Sequence, residues 1–130
     1  MVKDFEARQP LKRQLDERKR PPSFGTREVW WCHVGVNVGF EVFGKGAGFT
    51  RPVLIVKKYS GATFLGIPLT TKHKEPVYRY PMHIKGEPSY ALLDQVRTMD
   101  ARRLNSKIEK ISEIQFSLIK DAFVRTVFDL

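Results

Sequence analysis

Residues 52–70 constrain the fold most. Pro52 to Val56 is an unbroken apolar run, and a second run, TFLGIPLT (63–70), follows after only Ser60-Gly61-Ala62. A short apolar run bounded by turn residues, without helical period, predicts a strand buried on both faces. Two such runs joined this tightly predict an antiparallel hairpin. An isolated hairpin is marginal in water, so the rest of the chain has to cover it.

Further strand patterns lie on both sides. EVWWCHV (28–34) is rich in β-formers, and its adjacent Trp30 and Trp31 point to opposite faces. One of them belongs to the core; the other can stack on a base or fill an interface. VYRYPMHI (77–84) alternates and carries Pro81, which predicts an edge strand or a bulge. KGEPS reads as a turn, YALLDQVRTM (90–99) as one strand, DARRL as a helical turn and KIEKI (107–111) as a short strand. The segment from Ser112 switches to a helical period. Ser112 and Gln115 have capping-box spacing, with Ile114, Leu118, Ala122 and Phe128 as the apolar face, widened by Phe123 and Val127. The expected fold is mainly β with helices (α+β): five or six short strands in a small, strongly bent sheet or partial barrel, covered by a C-terminal helix.

The chain has 130 residues, enough for one domain, and its apolar content of 42% is enough for one core. Its net charge of +9 points to a polyanionic partner: nucleic acid, an acidic protein or an anionic surface. One cysteine, Cys32, rules out an intrachain disulfide and a cysteine-built zinc site. His33, His73 and His83 have no metal-binding spacing, so no metal or cofactor is expected. No apolar run is long enough to span a membrane, and the N-terminus lacks the apolar stretch of a signal peptide; the expected location is the cytoplasm. Residues 1–26 read as a basic arm, partly helical at PLKRQLDERKR, with residues 27–130 as the folded domain. The arm either packs Leu11 and Leu15 on the body or is a solvated tail.

Arg51 stands between a glycine-rich segment, GFEVFGKGAGFT (39–50), and the most apolar run of the chain. A guanidinium is costly to bring near a core, so Arg51 is either a solvated residue at a strand start or a charge held to meet an anion. Gly44, Gly46 and Gly48 would let the loop backbone approach a ligand, and Lys45 adds charge there. Glu41, flanked by Phe40 and Phe43, can act as a base, pair with a nucleobase edge or be a solvated loop acid. Thr70 and Thr71 close a strand, where hydroxyls can donate to a phosphate oxygen. By strand alternation Asp94 shares a face with Leu92 and Val96, which calls for a partner such as Arg51 or Arg97. His73 can join a site as a proton donor or be a solvated loop histidine.

Five stretches in order, REVWWCHVG (27–35), VGFE (38–41), TRPVLIV (50–56), IPLTT (67–71) and LLDQVRTMDARRL (92–104), resemble the MazF/PemK family of toxins from bacterial toxin–antitoxin systems. The resemblance implies an SH3-like barrel, a homodimer, and a metal-independent endoribonuclease that cuts single-stranded RNA at short sequences and is neutralised by a cognate antitoxin. It implies that Arg51, Thr70, Glu41 and Asp94 are catalytic, and that Lys45, Thr71, His73, Gln95 and Arg97 lie along the RNA. Two positions depart from the pattern: Phe40 and Leu92 stand where some members carry a histidine and an arginine. The loop between Glu41 and Arg51 is also longer. Two other readings share the fold: a noncatalytic or degenerate nucleic-acid-binding barrel, and a gyrase-poisoning toxin.

Overall fold

The computed structural model describes residues 20–34, 49–72 and 78–129. Its strands are β1 (Glu28–His33), β2 (Thr50–Lys58), β3 (Thr63–Thr70), β4 (Arg79–Ile84), β5 (Glu87–Leu92), β6 (Arg97–Asp100) and β7 (Leu104–Lys110), followed by one helix, α1 (Glu113–Phe128). The sheet order is β4-β5-β3-β2-β1-β7, with β6 pairing β3 off this path. Every pairing is antiparallel. The sheet curls into a half-barrel with α1 against it.

The central hairpin forms as expected, with Val53 opposite Pro68 and Leu54 opposite Ile67. β3 is the shared strand. Its first half pairs with β6, and its last residues, Leu69 and Thr70, pair with Ala91 and Tyr90 of β5. Gly66 is required at the middle of β3: a Cβ there would sit 2.7 Å from Val53 Cγ1 and 2.9 Å from a Phe64 ring carbon. β4 is an edge strand, which is where Pro81 is tolerated.

Alternation along the strands feeds two cores. Val29, Leu54, Ile67 and Leu69 face α1 and join Phe116 and Ile119. Trp30, Cys32, Val53, Ile55 and Phe64 face the other way, under Phe24. Phe24 belongs to the segment read as arm, yet it is buried against Phe64, and Lys58 Nζ donates to its carbonyl at 3.0 Å.

Three expectations are corrected. The turn expected over KGEPS is two residues, Lys85 (φ 54°) and Gly86 (φ 79°), and β5 already starts at Glu87. Positive φ at both central residues gives the hairpin twist that matches flanking strands, which leaves Glu87-Pro88-Ser89 free to pair. The single strand expected over 90–99 is broken by a 3-10 turn, Leu93–Gln95, because the chain leaves the β4–β5 hairpin at Leu92 and returns to β3 as β6. The apolar face expected on α1 is largely the wrong face. Ile114 is 76% exposed, Leu118 54% and Phe128 68%, while Phe116 and Ile119 are buried with Ala122 and Phe123 packed beside them. Among the described residues, no helix is long and apolar enough to cross a membrane.

Candidate active site

Arg51 lies inside β2 rather than ahead of it, one residue into the strand and opposite Cys32 of β1. Pairing with β1 holds its backbone in the sheet, so only the side chain is free to seek a partner. Among the described residues it makes no hydrogen bond and no ion pair.

Arg51 lines a pocket of about 420 Å³ at the end of the central strands. Thr50, Thr70, Thr71 and Ser89 supply hydroxyls to the same pocket, and Lys85 and Glu87 supply charges from the β4–β5 hairpin. The apolar lining includes Trp31, Pro52, Ile84, Pro88 and Ile108. The volume is within the range of small-ligand sites, about 300–1,000 Å³.

Two hydrogen bonds set Thr70. The Lys72 amide donates to Thr70 Oγ1 at 3.2 Å, and the buried Ser89 hydroxyl donates to the Thr70 carbonyl at 3.2 Å. The first is a turn bond that occupies one lone pair of Oγ1 and leaves its proton available to a ligand. Arg79 Nη1 donates to the Lys72 carbonyl at 2.7 Å, which pins the strand end beyond Thr71 to the edge strand.

More positive charge surrounds the Cys32 rung. Arg103 Nη1 donates to the His33 carbonyl at 3.3 Å, and Arg97 sits on β6 opposite Gly66. Burial pushes the Cys32 thiol up from 9.0 to about 12, and the guanidinium groups of Arg103 and Arg97 pull it the other way without prevailing. Asp100 is held below the usual carboxylate range, chiefly by its hydrogen bonds from Arg102, which also cap the 3-10 turn Ala101–Arg103.

The pocket therefore brings together Arg51, Thr70 and Thr71 of the residues singled out in the sequence. It does not include Asp94, Gln95 or Arg97, all of which are exposed. The expectation that Asp94 shares a buried face with Leu92 and Val96 is corrected, because the 3-10 turn breaks the alternation and turns Asp94 to solvent. Glu41, Lys45, His73 and Phe40 lie outside the described residues. Leu92 is buried at the end of β5. Sequence reading missed Lys85, Glu87 and Ser89. The Lys-Gly pair was a hairpin signal that would have placed the first two at a strand end; nothing local marks Ser89 as buried. Among the described residues, no group of three His, Cys, Asp or Glu side chains is placed to hold a metal ion.

A curled antiparallel half-barrel with one C-terminal helix is the fold of MazF toxins. MazF from Deinococcus radiodurans superimposes with a TM-score of 0.63 at 17% identity, over 85% of this chain and 98% of that one. An endoribonuclease in complex with its cognate antitoxin, from a mycobacterial species, gives 0.60 at 18%, over 83% and 97%. The Mycobacterium tuberculosis toxin MazF-mt6 gives 0.59 at 19%, over 80% and 98%. At these identities the likeness is one of fold. No curated protein sequence matches the chain. The chain belongs to the PemK-like, MazF-like toxin family of type II toxin–antitoxin systems, whose model matches residues 26–127.

Proposed function

We propose that this toxin is a metal-independent endoribonuclease that cleaves single-stranded RNA at a short recurring sequence, with Arg51 and Thr70 at its centre. The observation that carries the reading is that Arg51, without a hydrogen-bond or ion-pair partner among the described residues, lines a pocket that it shares with Thr70. The family and the endoribonucleases of the same fold support it.

In the proposed reaction the RNA 2′-hydroxyl gives its proton to a carboxylate and attacks the adjacent phosphorus, and the bond to the 5′-oxygen breaks as that oxygen takes a proton from water. The products are a 2′,3′-cyclic phosphate and a 5′-hydroxyl. Arg51 stabilises the charge on the non-bridging oxygens, a role its permanent charge suits, whereas that same charge makes it a poor proton acceptor. Thr70 donates its hydroxyl proton to one of those oxygens. The proton acceptor is a carboxylate, Glu41 or Asp94. Asp94 is exposed and outside the pocket lining, which favours Glu41. Lys45, Thr71, His73, Gln95 and Arg97 are proposed contacts along the RNA.

The proposed partners are a cognate antitoxin, as in the mycobacterial complex of the same fold, and a second copy of this chain. The net charge of +9 favours acidic segments and polyanions. The exposed apolar stripe of α1, Ile114, Leu118 and Phe128, supports a protein partner on that face.

The test is cleavage of a long single-stranded RNA by purified protein in EDTA. Wild type is expected to cut at a recurring motif and leave 5′-hydroxyl ends. Arg51→Ala is expected to lose about 10²–10³-fold in rate, the usual cost of removing one such donor. Equal cutting by both proteins would place the site elsewhere, and no cutting by wild type would favour a noncatalytic barrel.

A further inference from the structure

Trp31 is the unusual residue of the pocket. Its neighbour Trp30 is 6% exposed and its indole Nε1 donates to Glu28 at 2.9 Å. Trp31 is 41% exposed although it lies mid-strand, between Pro52 of β2 and Ser106 of β7. Strand alternation turns it away from the core that takes Trp30 and Cys32, and into the pocket. A large aromatic face open to water in a concave site is costly to maintain unless something covers it.

Trp31 and Arg51 line the same pocket. Trp31 faces Pro52 and Cys32 faces Arg51, so the two start from adjacent rungs with opposite alternation and come together at the strand ends that form the pocket. One sugar holds a nucleobase within a few ångströms of its own phosphate, so a single nucleotide can reach both.

Glu87 fits the same division. A carboxylate beside a phosphate would repel it, yet Glu87 lines the pocket. It stands two residues along β5 from Ser89, which bonds the Thr70 carbonyl. Two residues of strand amount to about 7 Å. That spacing separates the carboxylate from the Thr70 end and leaves it at the hairpin, where it can accept from an exocyclic amine of a base.

We propose that Trp31 is the stacking platform for one nucleobase of the RNA next to the phosphate held by Arg51, with Glu87 meeting that base's edge. The claim rests on the ribonuclease reading for its substrate class, and it assigns the base subsite within it. Because every base has a π-face, the stack supplies affinity with little selectivity, and Glu87 supplies the preference for an amine-bearing base, cytosine or adenine.

The test uses full-length protein and a fluorescein-labelled single-stranded 2′-fluoro RNA pool of about 12 nucleotides, within the span that small barrels cover. The fluorine removes the nucleophile, so binding is read by anisotropy without cleavage; cleavage of unmodified RNA is assayed in parallel. Trp31→Ser is expected to weaken binding about 5- to 100-fold, as loss of one base stack does, and Trp31→Phe to restore most of it. Indole emission should be quenched by RNA in wild type and unquenched in Trp31→Phe, a readout that a merely structural role would not move. Glu87→Gln should relax a preference for cytosine or adenine homopolymers. If wild type cleaves RNA and Trp31→Ser binds it as well as wild type does, the platform is overturned and the ribonuclease stands. If wild type binds without cleaving and Trp31→Ser weakens binding, the platform stands and the ribonuclease falls. No binding by wild type overturns both.

Discussion

Cys32 is fully buried on the rung opposite Arg51, and its thiol shows how the strands around the site are insulated from solvent. Its folded value, pushed up to about 12 by burial, lies above the ordinary 9.0. Between those values the unfolded thiol has lost its proton and the folded one has kept it. The folded state therefore binds more protons there, and stability from this group, complete below pH 9, is lost as pH rises toward 12. The advantage of wild type over Cys32→Ala in urea denaturation is expected to shrink by roughly 1 kcal/mol between pH 8 and pH 10. An unchanged difference would mean that the folded thiol titrates like an exposed one. At this scale the sequence was only partly readable. Arg51 announced itself because a guanidinium interrupts an apolar context. Asp94 misled, because strand alternation assumes an unbroken strand and the 3-10 turn Leu93–Gln95 has no strong local signal. Which of the two tryptophans was buried depended on the second core under Phe24, which takes Trp30, and that is set by tertiary packing.

The junction of α1 with the edge strand is held by an uncommon use of a capping residue. The Ser112 hydroxyl accepts from the Gln115 amide at 3.1 Å, the expected half of the capping box. The other half is missing. The Gln115 side chain reaches instead to β4, where Oε1 accepts from the His83 amide at 2.8 Å and Nε2 donates to the His83 carbonyl at 3.4 Å. It thereby pairs the outward-facing backbone of an edge strand with a side chain, which also blocks that edge from pairing with other chains. Ser112→Ala is expected to cost about 1 kcal/mol, as loss of an N-cap does. Gln115→Ala should leave helix content unchanged and speed hydrogen exchange at the His83 amide, measurable by NMR; unchanged exchange would sink the tether. The spacing of Ser112 and Gln115 correctly marked where the helix begins. It could not show where the glutamine points, since that depends on a strand 32 residues away. The helix face was misread for a related reason. Ile114, Leu118 and Phe128 recur with helical period as a core face does, but α1 docks through Phe116 and Ile119. Periodicity identifies an apolar stripe without saying which partner covers it.

That stripe belongs to the molecule as a whole. With Ile114, Leu118 and Phe128 exposed, the described residues leave an apolar face of α1 uncovered. If a second copy covers it, Leu118→Asp should shift the protein from dimer to monomer in sedimentation, with little effect on monomer folding because Leu118 lies outside the core. A dimer that survives the substitution would place the interface elsewhere. The overall architecture was the most legible level. Strand order cannot be read from one sequence, but the succession of short apolar runs, tight turns and one terminal helix left a bent antiparallel sheet as the economical solution.

The position of β1 in the sheet has a consequence for how the protein comes into being. β1 is flanked by β2 on one side and by β7 on the other, so the first of the described strands completes its pairing with the last of them. Ile108 of β7 also lines the pocket that holds Arg51. A chain emerging from the ribosome can form the β2–β3 hairpin early, since its partners are close in sequence, but it cannot close the sheet until β7 has been released. The pocket is thus assembled only after β7 has been made, and a chain interrupted before β7 carries Arg51 and Thr70 without the finished pocket.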